Sequence, residues 1–172
     1  MLKYKIGNLV DAFVSGEAPF AIHMCNCFCG FGKGFALELA NKVPGTLIVD
    51  QSTVKADKNK LGTYSTYIEG NKIFLNCYGQ YHYHIAKNGE TTLPNGKPLL
   101  CNYKAVRAFL TAIATNFKPQ LIAMPLIGCG DAHGDWNKVS KIIETELAEK
   151  GFEVVVYVLD KKLIPTNGTV IT

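Results

Sequence analysis

Two glycine-rich turns in this 172-residue chain carry residue types that could bind an anion. Loop one (residues 30–34, Gly-Phe-Gly-Lys-Gly) and loop two (residues 128–134, Gly-Cys-Gly-Asp-Ala-His-Gly) each follow an apolar run and precede a helical pattern. A strand that ends in glycines and opens into a helix presents free backbone N–H groups, supported by the helix dipole, to an anion. Two such turns in one small chain indicate a clamp for two phosphates, as a diphosphate ligand requires.

The spacing of the glycines excludes two common nucleotide motifs. Glycines at 30, 32 and 34 match neither Gly-x-x-x-x-Gly-Lys-Ser/Thr nor Gly-x-Gly-x-x-Gly. We therefore interpret loop one as an anion cradle of another type. The alternative is a tight strand-to-helix turn that binds nothing.

Side chains that could act on a bound phosphate lie beside both loops. His23 could serve as nucleophile or acid, although a histidine in an apolar strand is more often a core residue. Asn26 ends the same strand and could contact a ligand or cap a turn. In loop two, Asp131 and His133 are candidates because a carboxylate beside an anion cradle is costly unless it holds a proton, a hydroxyl or a water. Asp135 is equally suited to cap the following helix.

Composition and cysteine usage limit the class of protein. Hydrophobic residues make up 48% and charged residues 19%, which is typical of one soluble globular domain spanning 1–172. A net charge of +4 tolerates an anionic ligand but is too small to indicate duplex binding. No apolar run has the length of a membrane span and no signal peptide is present, so we expect a cytoplasmic monomer without a membrane partner. Cys25, Cys27 and Cys29 alternate, which would put three thiols on one face, a poor geometry for closing a zinc tetrahedron. We expect reduced thiols, no metal and no cofactor.

The pattern of strands and helices predicts a three-layer α/β/α sandwich. Strands are predicted at 3–7, 19–26, 62–67, 72–77, 120–125 and 153–159, and helices at 34–43, 99–117 and 136–150. Turn residues at 69–71 predict an antiparallel hairpin, which makes the central sheet mixed. We expect the loop at 78–98 to be functional or mobile, and the tail from Asp160 to wrap or fray. In open α/β sheets, ligands bind beyond the carboxyl ends of the strands, where both loops lie.

These segments resemble the macrodomain family of ADP-ribose-binding α/β/α domains over almost the whole chain. The resemblance rests on His23-x-Cys25-Asn26-Cys27 running into loop one, and on 124–130, Met-Pro-Leu-Ile-Gly-Cys-Gly, followed by Trp136. Leu61-Gly62 and the hairpin ending Asn76-x-x-x-Gln80 are similar to the branch with ADP-ribose 1''-phosphate phosphatase and terminal ADP-ribose glycohydrolase.

The resemblance implies specific roles for residues of this chain. The segment that holds adenine falls on Gly7-Asn8-Leu9, where asparagine replaces the aspartate of the family and accepts from the amine without a charge. Asn26 would touch the distal ribose, and His23 matches a histidine of the phosphatase. The expected ligand-binding residues are Asn8, Leu9, Gly32, Lys33, Gly34, Phe35, Ile127, Gly128, Cys129, Gly130, Asp131 and Ala132.

One pair of residues required by the glycohydrolase is missing. Its lysine would fall near 76–78 and its aspartate at Ala132, and neither residue type is present there. The sequence therefore predicts a protein that binds ADP-ribose and removes the terminal phosphate of ADP-ribose 1''-phosphate. The alternatives are hydrolysis of ADP-ribose from protein or nucleic acid, and a reader that binds ADP-ribose without turnover.

Overall fold

The computed structural model describes residues 1–83 and 91–172. The strands of this part of the chain are β1 Lys3–Ile6, β2 Phe20–Asn26, β3 Tyr64–Glu69, β4 Lys72–Gln80, β5 Leu121–Met124, β6 Glu153–Val158 and β7 Thr169–Ile171. The helices are α1 Leu9–Ser15, α2 Gly34–Lys42, α3 Pro44–Gln51, α4 Tyr103–Asn116 and α5 Trp136–Glu146. None of these helices is long and apolar enough to cross a membrane.

The strands form one mixed sheet in the order β3-β4-β2-β5-β6-β1-β7. β3 and β4 pair antiparallel, with Tyr64 opposite Cys77, which confirms the predicted hairpin. Every other neighbouring pair is parallel. The mixed sheet and its crossover helices confirm the predicted fold class.

Helices cover both faces of the sheet. On one face, Leu9 and Phe13 of α1 and Leu39 of α2 belong to a core with Phe74 of β4. On the other face, α4 and α5 contribute apolar side chains such as Phe109 to a second core. These two cores give the three layers and hold the central strands rigid beneath the loops.

Two short helices and one strand were not predicted. α1 is capped at its start by Asn8, whose side chain accepts from the N–H of Asp11, and at its end by Gly16 in the left-handed region. α3 begins at Pro44, directly after the helix predicted at 34–43, because the fixed φ of proline suits a first helical turn. Helices of seven and eight residues repeat too few turns for a clear periodic pattern.

Two segments predicted as irregular, the loop at 78–98 and the tail from Asp160, each contain part of a strand. The loop predicted at 78–98 includes residues 84–90, which lie outside the described residues, and its first part continues β4 to Gln80. The tail wraps back as expected but ends in β7, which pairs parallel with β1. Thr169 and Val170 are exposed, so only the pairing with β1 makes this segment a strand.

Candidate ligand-binding cleft

A cleft of about 1090 Å³ opens at the carboxyl ends of β2 and β5. These strands are neighbours and run parallel, so loop one and loop two leave the same edge of the sheet. The volume is close to the upper end of about 300–1,000 Å³ typical of small-molecule pockets. The twelve residues expected to bind the ligand all line the cleft, as do His23 and Asn26, whereas His133 and Asp135 are outside its lining.

Loop one presents unpaired backbone donors to the cleft. None of the described residues accepts a hydrogen bond from the backbone N–H of Gly32, Gly34 or Phe35. Gly34 has φ +61° and opens α2, so these donors lie at the positive end of a helix. A Cβ added at Gly30, Gly32 or Gly34 would meet no atom within 4 Å. The space beside loop one is therefore open to a ligand.

Loop two is a closed turn packed on the protein. The N–H of Gly134 donates to the carbonyl of Gly128 at 2.7 Å, and the N–H of His133 donates to the carbonyl of Gly130 at 2.9 Å. Gly128 has φ +74°, and an added Cβ would lie 2.7 Å from Cys101 Sγ. In the described part of the chain, no residue accepts from the N–H of Gly130 or Asp131. These two donors are the contribution of loop two to an anion site.

An ion pair connects the two loops. Lys33 Nζ lies 3.2 Å from an Asp131 carboxylate oxygen, and the side chains are 68% and 61% exposed. An ion pair this exposed contributes little to the free energy of folding. A phosphate that enters between the loops would compete with Asp131 for the ammonium group of Lys33.

His23 forms part of the inner wall of the cleft. It is only 2% exposed, and the rings of Phe31, Phe35 and Phe74 lie between 5.1 and 5.6 Å from its own ring. Its Nε2 lies 2.7 Å from Asn76 Oδ1 and 3.2 Å from Cys25 Sγ. Burial lowers the pKa of His23 to about 4, against the opposing effect of the hydrogen bond with Asn76. The imidazole is therefore neutral near pH 7.

Asn26 caps the turn that begins loop one. Its Oδ1 accepts from the N–H of Phe28 at 2.8 Å, and its Nδ2 donates to the carbonyl of Gly30 at 3.1 Å. Of the two roles that the sequence left open, the turn cap is present in the structure. Because Asn26 also lines the cleft, a ligand contact remains compatible with that role.

Asn8 is bonded within the protein, and a carboxylate lies beside it. Its Oδ1 accepts from the N–H of Asp11, and its Nδ2 donates to Glu38 Oε1 at 2.7 Å. Lys42 also donates to Glu38 Oε1, at 2.8 Å, and together Lys42 and Asn8 lower the pKa of Glu38. Glu38 lines the cleft and was not identified from the sequence. Its spacing of four residues from Gly34, which puts it on the same side of α2, is the signal that could have identified it.

The remaining candidate residues have structural partners. Asp135 caps α5 by accepting from the N–H of Asn137 at 2.9 Å. Cys25 and Cys27 are buried, and burial raises the pKa of Cys27 to about 11. Among residues 1–83 and 91–172, no group of three or more histidine, cysteine, aspartate or glutamate side chains could hold a metal ion.

The chain has weak sequence similarity to known proteins. No protein-family profile matches it. An uncharacterised 17.5 kDa protein of enterobacteria phage T4, from the tk-vs intergenic region, is 29% identical over 150 residues, which is 84% of this chain and 89% of that protein. A solved structure of a protein from Bacteroides thetaiotaomicron is 29% identical, with a TM-score of 0.70 over 91% of this chain and 99% of the other.

Of two more distant solved structures, one is named as a macrodomain and the other contains ADP-ribose. The macrodomain of Thermus aquaticus DarG is 20% identical and superposes with a TM-score of 0.65 over 92% of this chain and 98% of its own. Thermosipho africanus DarTG, solved in complex with ADP-ribose, is 20% identical with a TM-score of 0.63, over 86% of this chain and 40% of its own. Since the likeness to the DarG macrodomain covers 92% of this chain, this protein has the macrodomain fold.

Proposed function

We propose that this protein binds ADP-ribose in the cleft, with the diphosphate between loop one and loop two. The observation that carries the proposal is the convergence of two sets of unpaired backbone N–H groups on one cleft. Each set suits one phosphate, and Lys33 supplies a positive charge between them. The structure of Thermosipho africanus DarTG contains ADP-ribose, and the shared fold supports the same ligand here.

The end of the cleft near β1 suits the adenine. Leu9, Val158, Leu159 and Leu163 line this end and provide apolar surface for a planar base. Glu38 is the acceptor for the exocyclic amine in this proposal, since Oε2 has no hydrogen bond to a described residue. Asn8 holds Glu38 in place through its Nδ2. The distal ribose then lies toward Asn26.

Isothermal titration calorimetry with ADP-ribose tests the proposal. Contacts of this kind give a free energy of binding of about −7 to −9 kcal/mol, or micromolar affinity. Gly32→Val and Gly130→Val should each weaken binding by about a hundredfold or more, because the added side chain occupies the space of a phosphate. Both positions have open space for a Cβ, so thermal unfolding should show intact folding. Unchanged affinity in both variants would exclude the two-loop clamp.

A second proposal is that the protein removes the terminal phosphate of ADP-ribose 1''-phosphate. The observation that favours it is a neutral imidazole, His23, in the wall of the same cleft. In one route His23 attacks phosphorus, the bond to the 1''-oxygen breaks and water then hydrolyses the phosphohistidine; in the other His23 takes a proton from a water that attacks phosphorus directly. In both routes the leaving 1''-oxygen takes up a proton from His23 or from solvent, and the products are ADP-ribose and phosphate. The N–H groups of the loops stabilise the charge that develops on the phosphate oxygens.

Phosphate release from ADP-ribose 1''-phosphate tests this second proposal. His23→Ala should lower turnover by about a hundredfold or more while leaving ADP-ribose affinity nearly unchanged. Asn26→Ala should damage both, because it removes the cap of loop one. If His23→Ala keeps full turnover, His23 is a structural residue of the core and takes no part in catalysis. ADP-ribosylated protein and nucleic acid are incubated in parallel, and release of ADP-ribose from either would identify an ADP-ribosyl hydrolase. Binding of ADP-ribose without any product would identify a reader.

A further inference from the structure

A network of buried and partly buried polar side chains leads away from the cleft, beginning at His23. His23 Nε2 lies 2.7 Å from Asn76 Oδ1, and Asn76 is completely buried. Asn76 Nδ2 donates to the carbonyl of Thr46 at 3.0 Å and to Ser65 Oγ at 3.1 Å. All polar atoms of the Asn76 amide are therefore used, and they join β2 to α3 and β3 through β4.

The hydrogen-bond network continues from Ser65 to a buried carboxylate. Ser65 Oγ lies 2.9 Å from the hydroxyl of Tyr78, and that hydroxyl donates to Asp50 Oδ1 at 2.7 Å. Asp50 is 1% exposed, and its Oδ2 has no partner among the described residues. Lys60, also buried, places its ammonium group 4.5 Å from the centre of the Tyr78 ring. Burying this many polar groups is costly unless each is held by a partner.

The donor and acceptor in each hydrogen bond of this network can be assigned. The carbonyl of Thr46 can only accept, so the amide of Asn76 must turn its nitrogen to Thr46 and its oxygen to His23. The reversed amide would set two oxygens against each other. Tyr78 donates to Asp50, so its oxygen accepts the proton of Ser65, and Ser65 is left as an acceptor for Asn76. Nε2 of His23 therefore faces the acceptor Oδ1 at 2.7 Å, and the thiol of Cys25, 3.2 Å from the same nitrogen, is only a weak donor or acceptor. A neutral imidazole has one N–H to donate, and the acceptor Oδ1 favours its place on Nε2.

We infer that Asn76 is a positioning residue that holds His23 in the Nε2–H tautomer, and that Ser65, Tyr78 and Asp50 hold Asn76 in turn. Nδ1 is then the ring nitrogen that carries the lone pair. For catalysis the inference rests on the proposed phosphatase function: Nδ1 is the atom that attacks phosphorus or accepts the proton of water. The tautomer itself does not depend on that function.

Long-range ¹H–¹⁵N spectra of the imidazole rings test the tautomer directly. Wild-type His23 should show only the Nε2–H pattern at neutral pH. Asn76→Leu, of similar size but without an acceptor, should give a mixture of both tautomers. Asn76→Asp keeps an oxygen acceptor for His23 and should keep the proton on Nε2, with the pKa of His23 raised by the new charge. Because its second oxygen faces the carbonyl of Thr46, this variant is used only after circular dichroism shows that it folds. The signals of His133, outside the cleft, serve as the internal reference.

Two outcomes would overturn the inference. One is a wild-type His23 with a substantial Nδ1–H population, and the other is a folded Asn76→Leu variant that retains the pure Nε2–H form. If either variant does not fold, as judged by circular dichroism, the spectrum of the wild-type protein still tests the inference. An Asn76→Asp variant that loses the Nε2–H form would also contradict it.

Kinetics with ADP-ribose 1''-phosphate separate this inference from the proposed function. Asn76→Leu should lower kcat by about tenfold to a hundredfold with little change in KM, because the residue acts through His23. Asn76→Asp should retain most of the turnover and move the acid limb of the kcat profile to higher pH. Absence of wild-type turnover would refute the phosphatase proposal while the spectra still decide on the tautomer. Turnover that neither variant changes would refute the catalytic part of the inference alone.

Discussion

The glycines of loop one face open space, whereas two of the three glycines of loop two are packed against the protein. A Cβ at residue 30, 32 or 34 would meet no atom within 4 Å. In loop two, a Cβ at Gly128 would meet Cys101, and one at Gly134 would meet the carbonyl of Gly128, while Gly130 alone has open space. The two loops are therefore rich in glycine for different reasons. In loop one the absence of side chains leaves room for a ligand, whereas loop two needs glycine mainly to close its own turn.

The strands that lead into the two loops also differ. β2 carries His23, a buried titratable side chain at the head of a polar chain, before it reaches loop one. β5 has the sequence Leu-Ile-Ala-Met and carries no titratable group into loop two. The proposed chemistry accordingly belongs to the side of loop one, and loop two contributes backbone donors and a wall.

The largest expected effect is the acid sensitivity that His23 confers on the β2 side. Its pKa is about 4 in the folded protein against 6.5 unfolded, so the unfolded chain binds the extra proton. The stabilisation is complete above pH 6.5 and is lost as pH falls toward 4, by about 3 kcal/mol. Urea denaturation from pH 4 to 7.5 should show this slope in wild type and a flatter one in His23→Gln. Equal slopes would contradict the prediction, and His133→Gln is the matched control.

A substitution pair within loop two should separate packing glycines from ligand glycines. Gly128→Ala forces a Cβ against Cys101 Sγ at positive φ and should lower the free energy of unfolding by about 2 kcal/mol. Gly130→Ala should change it by less than about 0.5 kcal/mol and act on ADP-ribose affinity instead. Chemical denaturation and calorimetry measure the two effects, and equal losses of stability would refute the distinction.

The proposed adenine end of the cleft depends on Glu38, which lies on the helix that follows loop one, and on Asn8, which donates to it. Glu38→Gln should weaken ADP-ribose binding by about 1 kcal/mol, through loss of a charged acceptor. Asn8→Ala should cost about 1 kcal/mol of stability as a lost helix cap and weaken binding by about 1–2 kcal/mol. Calorimetry with the inosine analogue of ADP-ribose is the control, since it lacks the amine. Equal losses for both ligands would move the amine away from Glu38.

The smallest effect concerns the ion pair that joins the loops. Asp131→Asn should change stability by less than about 0.5 kcal/mol because the pair is exposed. It should nevertheless strengthen ADP-ribose binding a few-fold, since Lys33 is released to the diphosphate and a negative charge is removed. Titrations at low and high salt measure this, and a weaker Asp131→Asn complex would mean that Asp131 contacts the ligand favourably.

The sequence by itself determined the layers and the place of the cleft. Apolar periodicity predicted α4 and α5, and turn residues predicted the β3–β4 hairpin, because both signals lie within a few consecutive residues. The two glycine turns located the cleft, because neighbouring parallel strands end at the same edge of the sheet. All twelve expected ligand-binding residues line that cleft.

Only the tertiary structure decided which atoms each polar group faces. His23 and Asn76 are 53 residues apart, Asn8 and Glu38 are 30 apart, and β7 is a strand only because β1 lies beside it. Periodicity and turn propensity act between near neighbours in the chain, so they do not report such contacts. The proposed tautomer of His23 and the proposed role of Glu38 therefore rest on packing between distant segments of the chain.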